Sequence, residues 1–309
     1  MSTLLLMPPQ CFDHDTSDGH PECADRLRAI EGALNSQTFS MLMRGSSGPA
    51  TRAQLERAHE PDYVAHILTL DGCPDFIELD ADTVLSSGSV RAARYGAGAA
   101  CQAIDEVLLG QARNAFCAIR PPGHHAEAAH AMGFCLFNNA AIAALQARHV
   151  HGLSKIAVID FDVHHGNGVQ SIFWNDENLF YGSLHEAGGF PQTGLPEETG
   201  DGHNIFNVPL ASGAGSEQLH CAWHDVMAPQ LVAFAPQLII ICAGFDGHRQ
   251  DFMGSLNYTT ADYGWITAEI LTAANALCRG RVVSLLEGGY HLPSLAASVA
   301  AHVKALLEV

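Results

Sequence analysis

The 309-residue sequence has no Cys-x-x-Cys pair, no long apolar run and little positive charge. Its nine cysteines are odd in number, and Cys101, Cys117, Cys135 and Cys242 stand in apolar contexts. That pattern argues against a disulfide framework and a thiolate metal knot, and fits buried thiols in a reducing compartment. No apolar stretch approaches the roughly 20 residues a membrane helix needs. Residues 1–9 hold a short apolar run without a basic leader or a small-residue cleavage site, so they predict a first strand rather than a signal peptide. A cytoplasmic location is the resulting expectation. Only 15 Lys and Arg stand against 33 Asp and Glu, a formal net charge of −18. Such a chain is a poor direct partner for nucleic acid. It is soluble and attracts cationic partners. Internal repeats, charge blocks and linkers are also missing, and Ser46-Ser47-Gly48-Pro49 is only a turn. One domain over residues 1–309 is therefore expected, with a hydrophobic share of 48% to fill its core. Nothing here specifies an oligomeric state.

What is present is a rhythm of short apolar runs and longer helical patterns. The runs at 115–119, 156–159, 179–184, 205–210, 238–242 and 282–286 predict buried parallel strands. Helical patterns fall at 88–109, 138–151, 216–234, 260–277 and 293–307, with Asn138-Asn139 as a helix cap. This alternation predicts an α/β fold, a mostly parallel central sheet with helices on both faces. Ionisable and glycine-rich segments follow strand after strand. In open parallel sheets ligands bind beyond the carboxyl ends of strands, so that edge is the expected active site.

The densest such segment is Asp160-Phe161-Asp162-Val163-His164-His165-Gly166-Asn167-Gly168. Alternation along a strand aims Asp160, Asp162 and His164 one way and His165 the other. So many buried ionisable groups need a compensating partner. Asp162 and His164, with Asp246 from a later strand end, make a three-ligand set with an open position, the pattern of catalytic zinc. Two carboxylate ligands acidify bound water less than three histidines, so a separate general base is required; His124 and His125 are the candidates, after the stiff Pro121-Pro122-Gly123 turn. Asp160 and Asn167 are available to orient them. Tyr290, after two glycines, reads either as a packed aromatic or as a hydroxyl donor to a developing oxyanion. His59, His66, His149 and His151 read as surface or helix residues.

Together with Arg120-Pro121-Pro122-Gly123-His124-His125-Ala126-Glu127, Gly133-Phe134-Cys135-Leu136-Phe137-Asn138-Asn139, Gly244-Phe245-Asp246, Glu287-Gly288-Gly289-Tyr290, and His20-Pro21-Glu22 with Arg26, the segment resembles the zinc-dependent histone deacetylase family. That family includes bacterial deacetylase-like amidohydrolases and acetylpolyamine amidohydrolases. Asn167, where first-class members carry Asp, is similar to the second-class branch. The resemblance implies an arginase-like α/β fold and hydrolysis of an acetylated amine. By position it implies one zinc per chain on Asp162, His164 and Asp246. It pairs His124 with Asp160 and His125 with Asn167. His125 becomes the general base, His124 a more often charged partner, and Tyr290 the donor that polarises the acetyl carbonyl with zinc. It also implies an acyl-lysine tunnel walled by Phe134 and Phe190 with room at Gly133, and a further wall at Met253. At that wall Asp251-Phe252 replaces the usual Asp-Pro. A structural potassium is implied at Asp160, Ser183 and Leu184, and a second ion near Phe173, Asp176 and Leu179. Of the loop acids Asp80 and Asp82, Asp82 is the one expected to grip substrate backbone.

Two other chemistries compete. An arginase-like ureohydrolase needs carboxylates for a second metal, but this chain has Gly166 and His248 in those places. A non-catalytic acyl-ligand binder has no need of the full set of ligands, histidines and tyrosine. The expected substrate is acetyl-lysine or another small acylated amine. An acetylpolyamine-specific enzyme is the alternative; relatives of that kind carry a long insertion for which this chain has little room.

Overall fold

In the computed structural model, which describes residues 2–308, the expected architecture is present. Met1 and Val309, the outermost positions of the expected domain, lie outside the described residues, and with Met1 the start of the expected first strand. The strands are β1 (Thr3–Leu6), β2 (Met43–Gly45), β3 (Ile77–Glu78), β4 (Val84–Leu85), β5 (Asn114–Cys117), β6 (Ile156–Asp160), β7 (Leu179–Glu186), β8 (Ile205–Leu210), β9 (Leu238–Ala243) and β10 (Val282–Leu286). Eight of them form one sheet in the order β2-β1-β5-β10-β9-β6-β7-β8. Every neighbouring pair in it is parallel. The central strands β5, β6, β9 and β10 are buried on both faces, which is why they read as unbroken apolar runs.

The helices are α1 (Asp25–Leu34), α2 (Arg52–Leu55), α3 (Pro61–Thr69), α4 (Ser89–Leu108), α5 (Asn139–His151), α6 (Asn167–Phe173), α7 (Ser216–Cys221), α8 (Ala228–Phe234), α9 (Thr260–Cys278) and α10 (Leu292–Leu307). Two successive residues of β5 show the layering. Phe116 meets His302 of α10, with ring centroids 5.3 Å apart. The thiol of Cys117 reaches the Ala99 carbonyl of α4 at 3.6 Å. Asn138 caps α5 by accepting from Ala141 N at 2.9 Å, and Gly152, at φ 69°, ends it.

Three expectations change. The predicted helix at 216–234 is two helices, α7 and α8, joined by a π-type turn over Ala222–Met227. Pro229 follows that turn; its missing N–H and its ring oppose a regular α-helical register. The short β2 and the β3–β4 hairpin, with α1, α2, α3 and α6, were not expected; β2, β3 and β4 run only two or three residues, too short to show an alternating pattern. His59 is not a surface residue: it is 3% exposed, its Nδ1 donates to the Glu127 carbonyl (3.0 Å), and its Nε2 accepts from Asn138 N (2.8 Å). His66 and His149 are exposed on helices, and His151 is half-buried at the end of α5.

Burial keeps several histidines neutral. It lowers the His59 pKa to about 4 and the His302 pKa to about 3. His302 sits between Thr267 Oγ1 (2.7 Å) and Ser284 Oγ (2.9 Å), tying α9, α10 and β10 together. An unfolded histidine titrates near pH 6.5. Between that value and the folded pKa the unfolded chain binds more protons, so stability falls as pH falls below about 6.5. At pH 5 each of the two costs about 2 kcal/mol relative to neutral pH. Denaturant unfolding measured from pH 7.5 to 5 should show this loss, with a shallower pH slope in His302→Asn. An equal slope in the variant would contradict the assignment.

Candidate active site

The loops leaving β5, β10, β9, β6 and β7, five adjacent strands, meet at the carboxyl edge of the sheet. Asp160 ends β6, paired in register with Ser183 of β7 and Cys242 of β9. Asp162 and Asp246 are fully buried, and His164 is half-buried beside them. One potential ligand atom from each of the three lies within 4.8 Å of the others. Asp162 Oδ1 is 3.1 Å from His164 Nδ1, and its Oδ2 accepts from Gly288 N at 2.8 Å. Asp246 Oδ1 accepts from Val163 N at 3.0 Å. Its Oδ2 is buried without a hydrogen bond, 3.2 Å from His164 Nδ1. Burial, and then the charge of Asp162, push the Asp246 pKa up to about 7. A dehydrated carboxylate oxygen facing an imidazole and a second carboxylate fits a divalent cation.

His124 and His125 lie beside this set with ring centroids 4.0 Å apart and planes tilted by 46°. His124 Nδ1 donates to Asp160 Oδ2 at 3.0 Å, and Tyr181 donates its hydroxyl to the same oxygen at 3.0 Å. Burial alone would discharge His124. Asp160 and Asp162 outweigh it and push the pKa up to about 10. His125 stands opposite. Burial, reinforced by His124 and His164, holds it well below the usual histidine range. Asn167 Nδ2 donates to Glu127 Oε1 at 2.9 Å, which turns Oδ1 toward His125 Nδ1, also at 2.9 Å. An amide oxygen only accepts, so Nδ1 carries the proton and Nε2 keeps its lone pair.

A cavity of about 220 Å³ opens on these groups, lined among others by His124, His125, Phe134, Phe190, Met253 and Tyr290. Gly133 and Asp82 also border it. Gly133 has φ 56°, and a Cβ there would lie 2.4 Å from His125 Cδ2, so no side chain fits. Its N–H donates to Asp82 Oδ1 at 3.0 Å, while Thr83 Oγ1 accepts from Phe134 N at 3.1 Å. Phe190 meets His125 edge-on with centroids 5.0 Å apart. The cavity thus gathers every residue expected along the tunnel.

The remaining expectations fall as follows. Asp160 Oδ1 accepts from Asp162 N at 3.1 Å, and Ser183 Oγ is 2.8 Å from His185 Nδ1. Leu184 is buried on the same strand. The carbonyls of Phe173, Asp176 and Leu179, the residues expected near a second ion, lie around the Asn204 amide nitrogen at 3.0, 3.2 and 2.7 Å, and its two hydrogens are shared among them. His165 packs on the far side, between Thr193 Oγ1 (2.8 Å) and Gln170 Oε1 (3.0 Å).

Several supporting roles were not legible in the sequence. Glu22 is fully buried between two arginines. Arg120 reaches it in bidentate fashion, Nε to Oε1 at 2.5 Å and Nη2 to Oε2 at 2.7 Å. Arg26 Nη1 donates to Oε1 at 2.8 Å. Arg26 also donates to the Gly289 carbonyl (2.6 Å) and to that of Glu287, and stacks 4.9 Å from the Tyr290 ring centroid. Glu287 Oε2 accepts from Gly123 N (2.7 Å) and His124 N (3.1 Å). The motifs containing Glu22, Arg26 and Glu287 were visible, but long-range pairing such as Glu22 with Arg120 leaves no local signal.

A hydrolase site is the arrangement this edge presents, and the comparisons agree. The histone deacetylase domain matches residues 20–306, so the chain belongs to that family of deacetylases and amidohydrolases. It is 36% identical over 310 residues to Histone deacetylase 14, chloroplastic, of Arabidopsis thaliana, covering 94% of this chain and 73% of the relative. Against the Histone deacetylase-like amidohydrolase of Pseudomonas aeruginosa it is 36% identical over 278 residues, covering 88% and 73%. The crystal structure of the HDA15 HD domain superposes with a TM-score of 0.94 at 36% identity, covering 99% of this chain and 88% of that one. The deacetylase-type α/β fold follows.

Removing the charge of Glu22 while keeping its shape leaves Arg26 and Arg120 buried with unpaired charge. Glu22→Gln should therefore lose about 3–5 kcal/mol of unfolding free energy by denaturant titration. A loss below about 1 kcal/mol, the scale of an exposed ion pair, would contradict this role.

Proposed function

We propose that this chain is a zinc-dependent amidohydrolase that removes acetyl groups from lysine side chains or similar acylated amines, with residues 1–309 as one catalytic domain. Membership of a generally zinc-dependent family supports the metal, and the orphaned Asp246 oxygen beside Asp162 and His164 supports its place. Bound there, one zinc supplies Lewis acidity toward the acyl carbonyl and a more acidic water. The chain's own groups do the rest. His125 Nε2, unprotonated in the tautomer fixed by Asn167 and Glu127, takes the proton of the attacking water and returns it to the leaving amine. His124, held as imidazolium by Asp160, offsets negative charge as it develops. The Tyr290 hydroxyl donates to the carbonyl oxygen as it becomes an oxyanion. Phe134 and Phe190 wall a narrow passage for an unbranched side chain, Gly133 and Met253 complete it, and Asp82 grips the substrate's polar backbone at the rim. Asp160, Ser183 and Leu184 would hold a potassium, which would stiffen the loop below.

The observation that carries this reading is the shared cavity. His125 and Tyr290 line it together with His164, one of the three proposed ligands. Among the described residues only one three-ligand cluster forms, which disfavours a two-metal ureohydrolase. Asp82 and Glu186 both line the cavity, which favours substrates with a positive charge and keeps an acetylpolyamine enzyme as the second reading. The nine free cysteines support a reducing compartment, and we infer the cytoplasm.

Tyr290→Phe separates metal binding from chemistry. It should hold zinc at the parent level by elemental analysis, yet lose roughly 100- to 1,000-fold in kcat on an acetyl-lysine peptide, the cost of one oxyanion donor. Parent-level turnover in this variant would contradict the mechanism, and a passive acyl-ligand binder would show no turnover in the parent either.

A further inference from the structure

Tyr290 has an unusual problem of support. Gly288 and Gly289 precede it, and Gly289 has φ 119°, a backbone conformation that glycine adopts without strain and that no side chain helps to hold. Among the described residues its hydroxyl has no hydrogen-bond partner, so nothing fixes the ring at its tip. The ring touches Arg26 on one face and meets Phe134 edge-on, with centroids 6.1 Å apart. Packing holds the buried ring, and the backbone that carries it sets where the hydroxyl lies.

The backbone is held from two sides. On the carbonyl side Arg26 takes the oxygens of Glu287 and Gly289. On the N–H side stands Asp251, a buried carboxylate from the loop after β9. Its Oδ2 accepts from Tyr290 N at 2.6 Å and His291 N at 2.9 Å. Its Oδ1 accepts from Met253 N at 3.1 Å. One side chain thus ties the proposed oxyanion donor to a wall of the acyl passage. We propose that Asp251 is a positioning residue that sets the Tyr290 hydroxyl and the Met253 wall in a single geometry; this rests on the amidohydrolase reading of the site.

The carboxylate form suits this task better than an amide. Three N–H donors converge on it, and two oxygens accept them all. An asparagine has one accepting oxygen, so it keeps either the tyrosine segment or the methionine and turns an NH2 against the other. A displacement of about 1 Å at a catalytic group can cost about 100-fold in rate.

The test is a double-mutant cycle on the zinc-loaded protein with an acetyl-lysine peptide. Asp251→Ala should lower kcat about 30- to 100-fold in the parent but by a factor at least several-fold smaller in a Tyr290→Phe background, where only the Met253 wall remains to be misplaced. Asp251→Asn, nearly isosteric, should fall between Asp251→Ala and the parent. Equal losses in both backgrounds would make Asp251 merely structural and overturn the inference. Absence of hydrolysis by the parent protein would instead overturn the amidohydrolase reading itself. A readout without turnover is the 19F signal of a 3-fluorotyrosine placed at position 290. One narrow resonance is expected in the parent and broadened or multiple resonances in Asp251→Ala. The same single narrow resonance in both would overturn the inference.

Discussion

Two carboxylates, Asp162 and Asp246, are fully buried within reach of one imidazole, and the rest of the site is built around that fact. Two like charges at close range in a low-dielectric interior repel strongly. Backbone N–H groups of Val163, His164 and Gly288 take part of the load, yet one oxygen of Asp246 stays unbonded. A cation there would resolve the repulsion. The same ion would hold together the loops after β6 and β9, two neighbouring strands of the sheet.

Around this centre the fold separates two chemically similar histidines by their partners. Asp160 and Asp162 push the His124 pKa up against its burial, whereas burial, with His124 and His164 beside it, holds His125 well below the usual histidine range. Glu127 matters through geometry: its carboxylate orients the Asn167 amide and so selects the His125 tautomer. Farther out, Glu22 joins Arg26 and Arg120, binding the chain's early segment to the loops after β5 and β10. Buried charge thus recurs here as a means of fixing loop position, with each charge paired or hydrogen-bonded.

Much of this was legible in the sequence for a definite reason. Central parallel strands are apolar on both faces, so β6, β9 and β10 stand out as runs, and the residues after them mark the functional edge. Asp162 and His164 do come together, with Asp246, but in the loop after β6, which ends at Asp160, rather than by alternation along a strand. The edge strand β2 was not legible because its residues are exposed and unpatterned. The break at Ala222–Met227 escaped because helical periodicity continues across it, and the neutral burial of His59 depends on chain distant in sequence. The roles of Glu22, Glu287 and Asp251 share that cause. Each is defined by a partner across the fold, at Arg120, His124 and Tyr290, and no local spacing encodes such a pairing.

The central claim is that Asp162, His164 and Asp246 hold a single zinc with an open position. Zinc K-edge X-ray absorption on the protein loaded with one equivalent tests it most directly. The account predicts a first shell of nitrogen and oxygen only, with one imidazole contribution and no zinc–zinc vector, and loss of that shell's order in Asp246→Ala. A sulfur-containing shell, a second metal nearby, or an unchanged spectrum in Asp246→Ala would contradict it.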